Sequence, residues 1–103
     1  MTETLEIDGL SLRRRLAETT DDHRPWLLDV RQGWEVAAAP FACDRHIPMD
    51  KLAEAVDDLP AERDIVVVCA HGQRSLMVAR WLRHNGWPRA YSLAGGTAAW
   101  ETE

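Results

Sequence analysis

Ile65-Val66-Val67-Val68-Cys69 is followed directly by Ala70-His71-Gly72-Gln73-Arg74-Ser75. The first stretch is a nearly unbroken β-branched run, which is typical of a strand buried on both faces of a parallel sheet. Beyond the second stretch, Val78, Ala79 and Leu82 recur at helical spacing. Residues 65–84 therefore predict a central strand, a glycine-containing turn and a helix.

The rest of the chain alternates between short extended segments and longer amphipathic ones. Apolar or β-branched runs predict further strands at residues 5–7, 26–30, 45–47 and 90–93. Helical spacing predicts helices at residues 9–18, 52–59 and 96–100. Asp50 is a candidate N-cap of the second of these, and Gly86 is a candidate C-cap of the helix after the loop. This alternation predicts an α/β fold with a mostly parallel central sheet and helices on both faces.

Length and composition favour a single domain over residues 1–103, with a core from about residue 7 to about residue 100. With 46% hydrophobic and 28% charged residues, the chain can build one core without disulfide or metal support. The longest apolar run, Ile65–Ala70, is far shorter than the roughly 20 residues that span a bilayer. The first residues also lack the basic-then-apolar pattern of a secretory signal. A cytoplasmic protein that makes no membrane contact is expected.

The charge distribution disfavours nucleic acid as a partner. The net charge is -5, whereas nonspecific binding to phosphate backbones needs a basic surface. Residues 69–103 nevertheless carry four arginines against two acidic residues, so a small anion would bind most readily in this third of the chain. Cys43 and Cys69 are too few for a disulfide framework or, alone, for a four-ligand zinc site. No metal is expected.

Cys69 lies where the central strand ends, the edge at which parallel sheets bind ligands. Gly72 allows the backbone to turn so that successive N–H groups converge as an anion nest, and the following helix adds the positive end of its dipole. Both effects favour a Cys69 thiolate, and Arg74 is a candidate bidentate ligand for an oxyanion beside it. A cysteine at the end of an apolar strand is also commonly an inert buried thiol. The loop residues alone leave a nucleophile and an inert thiol as open alternatives.

Five motifs occur in an order that resembles a known family. The motifs are Leu28-Asp29-Val30-Arg31, Glu35, His46-Ile47-Pro48, Val-Val-Cys69-x-x-Gly72-x-Arg74-Ser75 and Leu93-Ala94-Gly95-Gly96-Thr97-Ala98-Ala99-Trp100. Together they resemble a single-domain rhodanese, a thiosulfate sulfurtransferase-like protein, over nearly the whole chain from about Ile7 to Trp100.

The resemblance implies a rhodanese-like three-layer fold and a sulfur-transfer reaction. It implies that Cys69 accepts a sulfane sulfur as a persulfide and that the substrate-binding cradle is Ala70, His71, Gly72, Gln73 and Arg74. The donor would be a small anion such as thiosulfate, and the acceptor would be a thiol, a cyanide-type nucleophile or a protein. No metal or organic cofactor is implied.

Two other functions remain as alternatives. One is a sulfur-delivery or sensory module that interacts with proteins and turns over small molecules poorly. The other is an arsenate reductase or phosphatase-like enzyme. The loop from Cys69 through Arg74 has six residues, the length of sulfur-transferring members, whereas those relatives typically use a loop one residue longer.

Several residues outside the loop are expected to be structural. Asp29 would accept hydrogen bonds within the scaffold, and Arg31 would pair with Glu35. Cys43 is expected to be a half-buried structural thiol, far from the active loop. Gly95-Gly96 would form a tight turn that lets Trp100 fold back onto the core.

Overall fold

The computed structural model describes residues 4–20 and 23–102. Its strands are β1 (Glu6–Ile7), β2 (Trp26–Asp29), β3 (Arg45–His46), β4 (Ile65–Val68) and β5 (Ala90–Leu93). Its α-helices are α1 (Gly9–Glu18), α2 (Gly33–Ala38), α3 (Leu52–Ala55), α4 (Gln73–His84) and α5 (Gly96–Thr102). No helix within these ranges is both long and apolar enough to span a bilayer.

The strands form one sheet in the order β1-β5-β4-β2-β3, and every pairing is parallel. The central strand is β4, as its β-branched sequence predicts. Val67 is in register with Leu28 of β2 on one side and with Ser92 of β5 on the other. The predicted α/β class with a parallel sheet is confirmed. Because all strands point the same way, their carboxyl ends share one edge, which carries Cys69.

Two apolar clusters cover the two faces of the sheet, since alternate residues of β4 belong to different clusters. Ile65 and Val67 pack with residues of α3 and α4, including Leu52 and Leu82. The cluster on the other face contains Val66, Val68 and Leu93, together with Leu12 of α1 and Trp100 of α5. The sheet is therefore the middle of three layers, as the resemblance implies.

The ends of the helices are only partly as predicted. Gly86 has a positive φ of 106°, and the Trp87 N–H donates to the Leu82 carbonyl (2.9 Å), so Gly86 ends α4 as expected. Asp50 is not an N-cap. It lies inside a 3-10 turn that precedes α3, and its carboxylate accepts a hydrogen bond from Gln32 Nε2 (3.1 Å).

The position at the end of β2 holds a buried ion pair. Arg31 donates to the Asp29 carboxylate through its backbone N–H (3.0 Å), Nε (3.1 and 3.2 Å) and Nη2 (2.9 Å). Both residues are at most 1% exposed. Asp29 thus has the predicted structural role as the ion-pair partner of Arg31. The Glu35 carboxylate, which the sequence pairs with Arg31, forms a bidentate ion pair with Arg74, and the charge of Arg31 adds to the larger effect of Arg74 in lowering the pKa of Glu35.

Candidate active site

Cys69 follows β4 directly and is only 1% exposed. Its Sγ accepts hydrogen bonds from the backbone N–H groups of Gly72 (3.1 Å) and Ser75 (3.3 Å), and it lies 3.3 Å from Ser75 Oγ. The loop therefore wraps around the sulfur so that several donors converge on one atom, which is how an anion nest stabilises negative charge.

The electrostatic balance at Cys69 favours the thiolate. Burial of the sulfur opposes ionisation, but hydrogen bonds from the Ser75 hydroxyl and from the N–H groups of Ser75, Gly72 and His71 outweigh it. The net result is a Cys69 pKa below its ordinary value. A thiolate is the nucleophilic form of cysteine, so the loop activates its central sulfur.

Gly72 is the residue that lets the loop close. It is the N-cap of α4 with a φ of 95°, a left-handed conformation that other residues rarely adopt. A Cβ at this position would also lie 3.1 Å from the backbone nitrogen of Gly95. The helix therefore begins at Gln73, two residues earlier than the apolar spacing predicts, and its first turn includes the sulfur-binding N–H of Ser75.

The other predicted cradle residues differ in their exposure. His71 and Gln73 are exposed, and Ala70 is half-buried. Arg74 lies beside the loop, but its Nη1 and Nη2 donate to Oε1 (2.7 Å) and Oε2 (2.8 Å) of Glu35. Gly72 and His71 thus donate backbone N–H groups to the sulfur, whereas the roles of Ala70, Gln73 and Arg74 in binding a substrate stay predictions. Glu35, for which the sequence predicts only a scaffold role, lies against Arg74.

A buried hydroxyl relay extends from the sulfur into the sheet. Ser75 Oγ lies 2.6 Å from Ser92 Oγ, and Ser92 Oγ also lies 3.4 Å from the Gly72 carbonyl oxygen. Ser75 and Ser92 are both fully buried. Sequence reasoning missed Ser92 because it lies on β5, and only the β4–β5 pairing brings this strand beside the loop.

Gly96 and the start of α5 contact the backbone of the Cys69 loop. The N–H groups of Thr97 and Ala98 donate to the carbonyls of Cys69 (2.9 Å) and Ala70 (3.0 Å). The sequence predicts a tight turn here for the sake of Trp100. The turn exists, but Gly96 packs directly against the backbone of the Cys69 loop. This contact leaves no space for a side chain at Gly96.

Cys43 and Cys69 belong to clusters on opposite faces of the sheet. Cys43 is half-buried, and burial raises the pKa of its thiol. Both properties are those of a structural thiol.

Comparison with known proteins identifies the family. Residues 11–103 match the model of the rhodanese-like domain. The chain belongs to this family. Among curated relatives, the rhodanese-like domain is 35% identical to a sulfurtransferase from Allochromatium vinosum, over 92% of this chain and 86% of the relative. It is 29% identical to thiosulfate sulfurtransferase GlpE from Actinobacillus pleuropneumoniae, over 82% of this chain and 78% of the relative.

Solved structures agree with this assignment. A rhodanese-like domain protein from Staphylococcus aureus superposes with a TM-score of 0.81 at 29% identity, covering 92% of this chain and 89% of the other. The rhodanese-like fold of this chain is therefore shared with a solved member of the family.

Changing Gly96 to alanine is expected to destabilise the domain by about 3 kcal/mol. Gly96 has a φ of 63°, and an added Cβ would lie 2.5 Å from the Ala70 carbonyl carbon and would also collide with the Cys69 oxygen. Denaturant unfolding measures the effect. Gly86→Ala is the matched control, because Gly86 also has a positive φ but no atom within 4 Å of an added Cβ. Equal losses in the two variants would contradict the proposed contact with the loop.

Changing Ser75 to alanine is expected to raise the pKa of Cys69, because the hydroxyl hydrogen bond that favours the thiolate is removed. A smaller fraction of the thiol is then ionised at neutral pH. The rate of alkylation by iodoacetamide, measured against pH, should rise at a higher pH than in the unmodified protein. Ser11→Ala is the control, since Ser11 lies near the start of α1 and its hydroxyl donates to the Asp8 carboxylate. A profile for Ser75→Ala that matches this control would contradict the role of the hydroxyl.

Proposed function

We propose that the protein transfers a sulfane sulfur from a small anionic donor such as thiosulfate to a thiophilic acceptor through a persulfide on Cys69. The observation that carries this proposal is the convergence of the Gly72 and Ser75 N–H groups on the Cys69 sulfur. Membership in the rhodanese-like family, in which two matched relatives are named a sulfurtransferase and a thiosulfate sulfurtransferase, supports the same reaction.

In the first half-reaction, the Cys69 thiolate attacks the outer sulfur of thiosulfate. A new S–S bond forms to Cys69, the S–S bond of thiosulfate breaks, and sulfite leaves with the electron pair of that bond. The charges balance, because a thiolate and a dianion give a persulfide anion and a dianion. The loop N–H groups, which bind the thiolate before the reaction, would stabilise the persulfide that replaces it.

In the second half-reaction, the acceptor attacks the outer sulfur of the persulfide. With cyanide, a C–S bond forms, the persulfide S–S bond breaks, and thiocyanate leaves while Cys69 returns to the thiolate. No proton transfer is needed in either step, so a general base is not required of His71. Two steps through one covalent intermediate imply ping-pong kinetics.

A protein acceptor is the second candidate, and two exposed apolar side chains, one next to Glu35 and one on α4, favour it. Trp34 is 74% exposed and precedes Glu35, while Met77 is 57% exposed one turn into α4. A rate with small acceptors far below the rate with a thiol-bearing protein would favour sulfur delivery over small-molecule turnover.

The test is the intact mass of the protein after incubation with thiosulfate. We expect a gain of one sulfur atom that disappears on addition of cyanide. The Cys43→Ser variant, which keeps the loop, should gain the same mass. The absence of any cyanide-labile adduct, or an adduct that is lost in Cys43→Ser, would contradict the proposal. Hydrolysis of an aryl phosphate would instead favour the phosphatase-like alternative.

A further inference from the structure

The Arg74–Glu35 ion pair changes the charge that the active loop presents to a ligand. Both Nη atoms of Arg74 face the two oxygens of Glu35 at 2.7 and 2.8 Å, so the guanidinium and the carboxylate meet in a bidentate pair. The Arg74 side chain is 35% exposed and the Glu35 side chain is 13% exposed. The charge of Arg74, the only arginine of the loop, is therefore already balanced by Glu35 before a ligand binds.

Glu35 is fixed in this position from two sides. Besides the contact with Arg74, Oε1 accepts the backbone N–H of Gln32 (2.9 Å), which makes Glu35 the third residue of a capping box at the start of α2. The hydrogen bonds from Arg74 lower the pKa of Glu35 to about 2 against the opposing effect of burial. The carboxylate is thus negative throughout the neutral range.

We propose that Glu35 is a specificity-determining residue that reduces the preference of the Cys69 loop for dianions over monoanions, so that donors with a single negative charge compete better with dianionic donors such as thiosulfate. This inference rests on the proposed function for its relevance to donors. The attraction of the loop for an anion comes from its N–H groups and from Arg74. The negative charge of Glu35 repels the same anion and so offsets the attraction from Arg74. Because a Coulomb energy scales with the product of the two charges, this repulsion is twice as large for a dianion as for a monoanion.

The Glu35→Gln variant isolates this charge. Glutamine also serves in a capping box, and its carbonyl oxygen can still accept hydrogen bonds from Gln32 and Arg74. The site keeps its shape while one negative charge disappears. The probe is sulfate, which resembles the donor anion but transfers no sulfur. The measurement is the sulfate concentration that halves the rate of Cys69 alkylation by iodoacetamide, at constant pH and constant ionic strength.

We expect the sulfate concentration that halves the alkylation rate to fall about fivefold in Glu35→Gln. This is the effect of removing one unit charge that lies about 8 Å from a dianion in water. With nitrate, a monoanion, the decrease should be only about twofold, because half the charge gives half the energy. The Glu35→Asp variant keeps the charge and should stay within twofold of the unmodified protein for both anions. Glu54→Gln is the matched control for net charge, since Glu54 is exposed on α3 and has no bond to the loop.

Any of four results would overturn the proposal: an unchanged sulfate constant in Glu35→Gln, equal changes for sulfate and nitrate, the same change in Glu54→Gln, or a change in Glu35→Asp as large as that in Glu35→Gln. Thermal unfolding of each variant confirms that the fold is intact, and Glu35→Asp provides a second comparison if the glutamine variant unfolds. A change in Glu35→Asp as large as in Glu35→Gln would show that shape rather than charge matters. Sulfate binding requires no sulfur transfer. The sulfate experiment can therefore contradict the role of Glu35 while the adduct experiment still supports the persulfide, and the reverse result is equally distinguishable.

Discussion

Replacing Cys69 with serine is expected to lower sulfur transfer from thiosulfate to cyanide by at least about a thousandfold. Serine has nearly the same shape and can still accept the N–H groups of Gly72 and Ser75, but its hydroxyl does not ionise at neutral pH and is a poor nucleophile toward sulfur. Thiocyanate formation measures the rate. The midpoint of denaturant unfolding should change little, because one buried atom is exchanged for another of similar size.

The Cys43→Ser variant is the control for thiol chemistry in general. Cys43 packs against the cluster on the opposite face of the sheet from Cys69. Replacing Cys43 should change the rate of thiocyanate formation by less than about a factor of two from that of the unmodified protein. A change of this size is smaller than the contribution of a single hydrogen bond to a reaction rate. Turnover that persists in Cys69→Ser, or that disappears in Cys43→Ser, would refute the assignment of the nucleophile.

Changing Asp29 to asparagine is expected to destabilise the domain by about 3–5 kcal/mol. Asparagine keeps the size of the side chain but removes the carboxylate charge that faces the guanidinium of Arg31, a residue that is only 1% exposed. Domains of this size have a free energy of unfolding of about 5–15 kcal/mol. The substitution should therefore remove a large share of the total, which denaturant unfolding at neutral pH would measure.

The exposed pair of Arg45 and Asp58 is the matched control. Its charged atoms lie 3.2 Å apart, but the two side chains are 44% and 56% exposed, so water already screens the interaction. Asp58→Asn should cost less than about 1 kcal/mol. If Asp29→Asn cost no more than Asp58→Asn, burial would not be what makes the Asp29–Arg31 pair important.

Much of the fold could be predicted because its signals are local. The β-branched run of β4 indicates a strand covered on both faces, and the spacing of Val78, Ala79 and Leu82 indicates the buried side of α4, which the structure confirms. The limits of α1 at residues 9–18 and of β5 at residues 90–93 agree with the prediction. Alternation of hydrophobic residues depends only on neighbours in the chain, so it can be recognised without the tertiary structure.

Predictions of polar partners were less successful. Asp50 has the residue type of an N-cap but bonds to Gln32 instead. Glu35 lies four residues after Arg31, a spacing that suggests a pair, yet it binds Arg74 from a different part of the chain. The geometry of a side-chain hydrogen bond depends on how elements pack, and sequence separation says nothing about it.

The sequence by itself determined the order of the five strands and of the helices other than α2 (Gly33–Ala38), which it did not predict, together with the position of Cys69 at the carboxyl edge of the central strand and the glycine turn beside it. Those properties follow from hydrophobic pattern and backbone freedom over a few residues. Only the tertiary structure decided that Ser92 stands behind Ser75, that Gly96 supports the loop and that Glu35 balances Arg74. Each of these contacts joins segments at least 17 residues apart, and such segments meet only after the sheet and its two covering layers have packed.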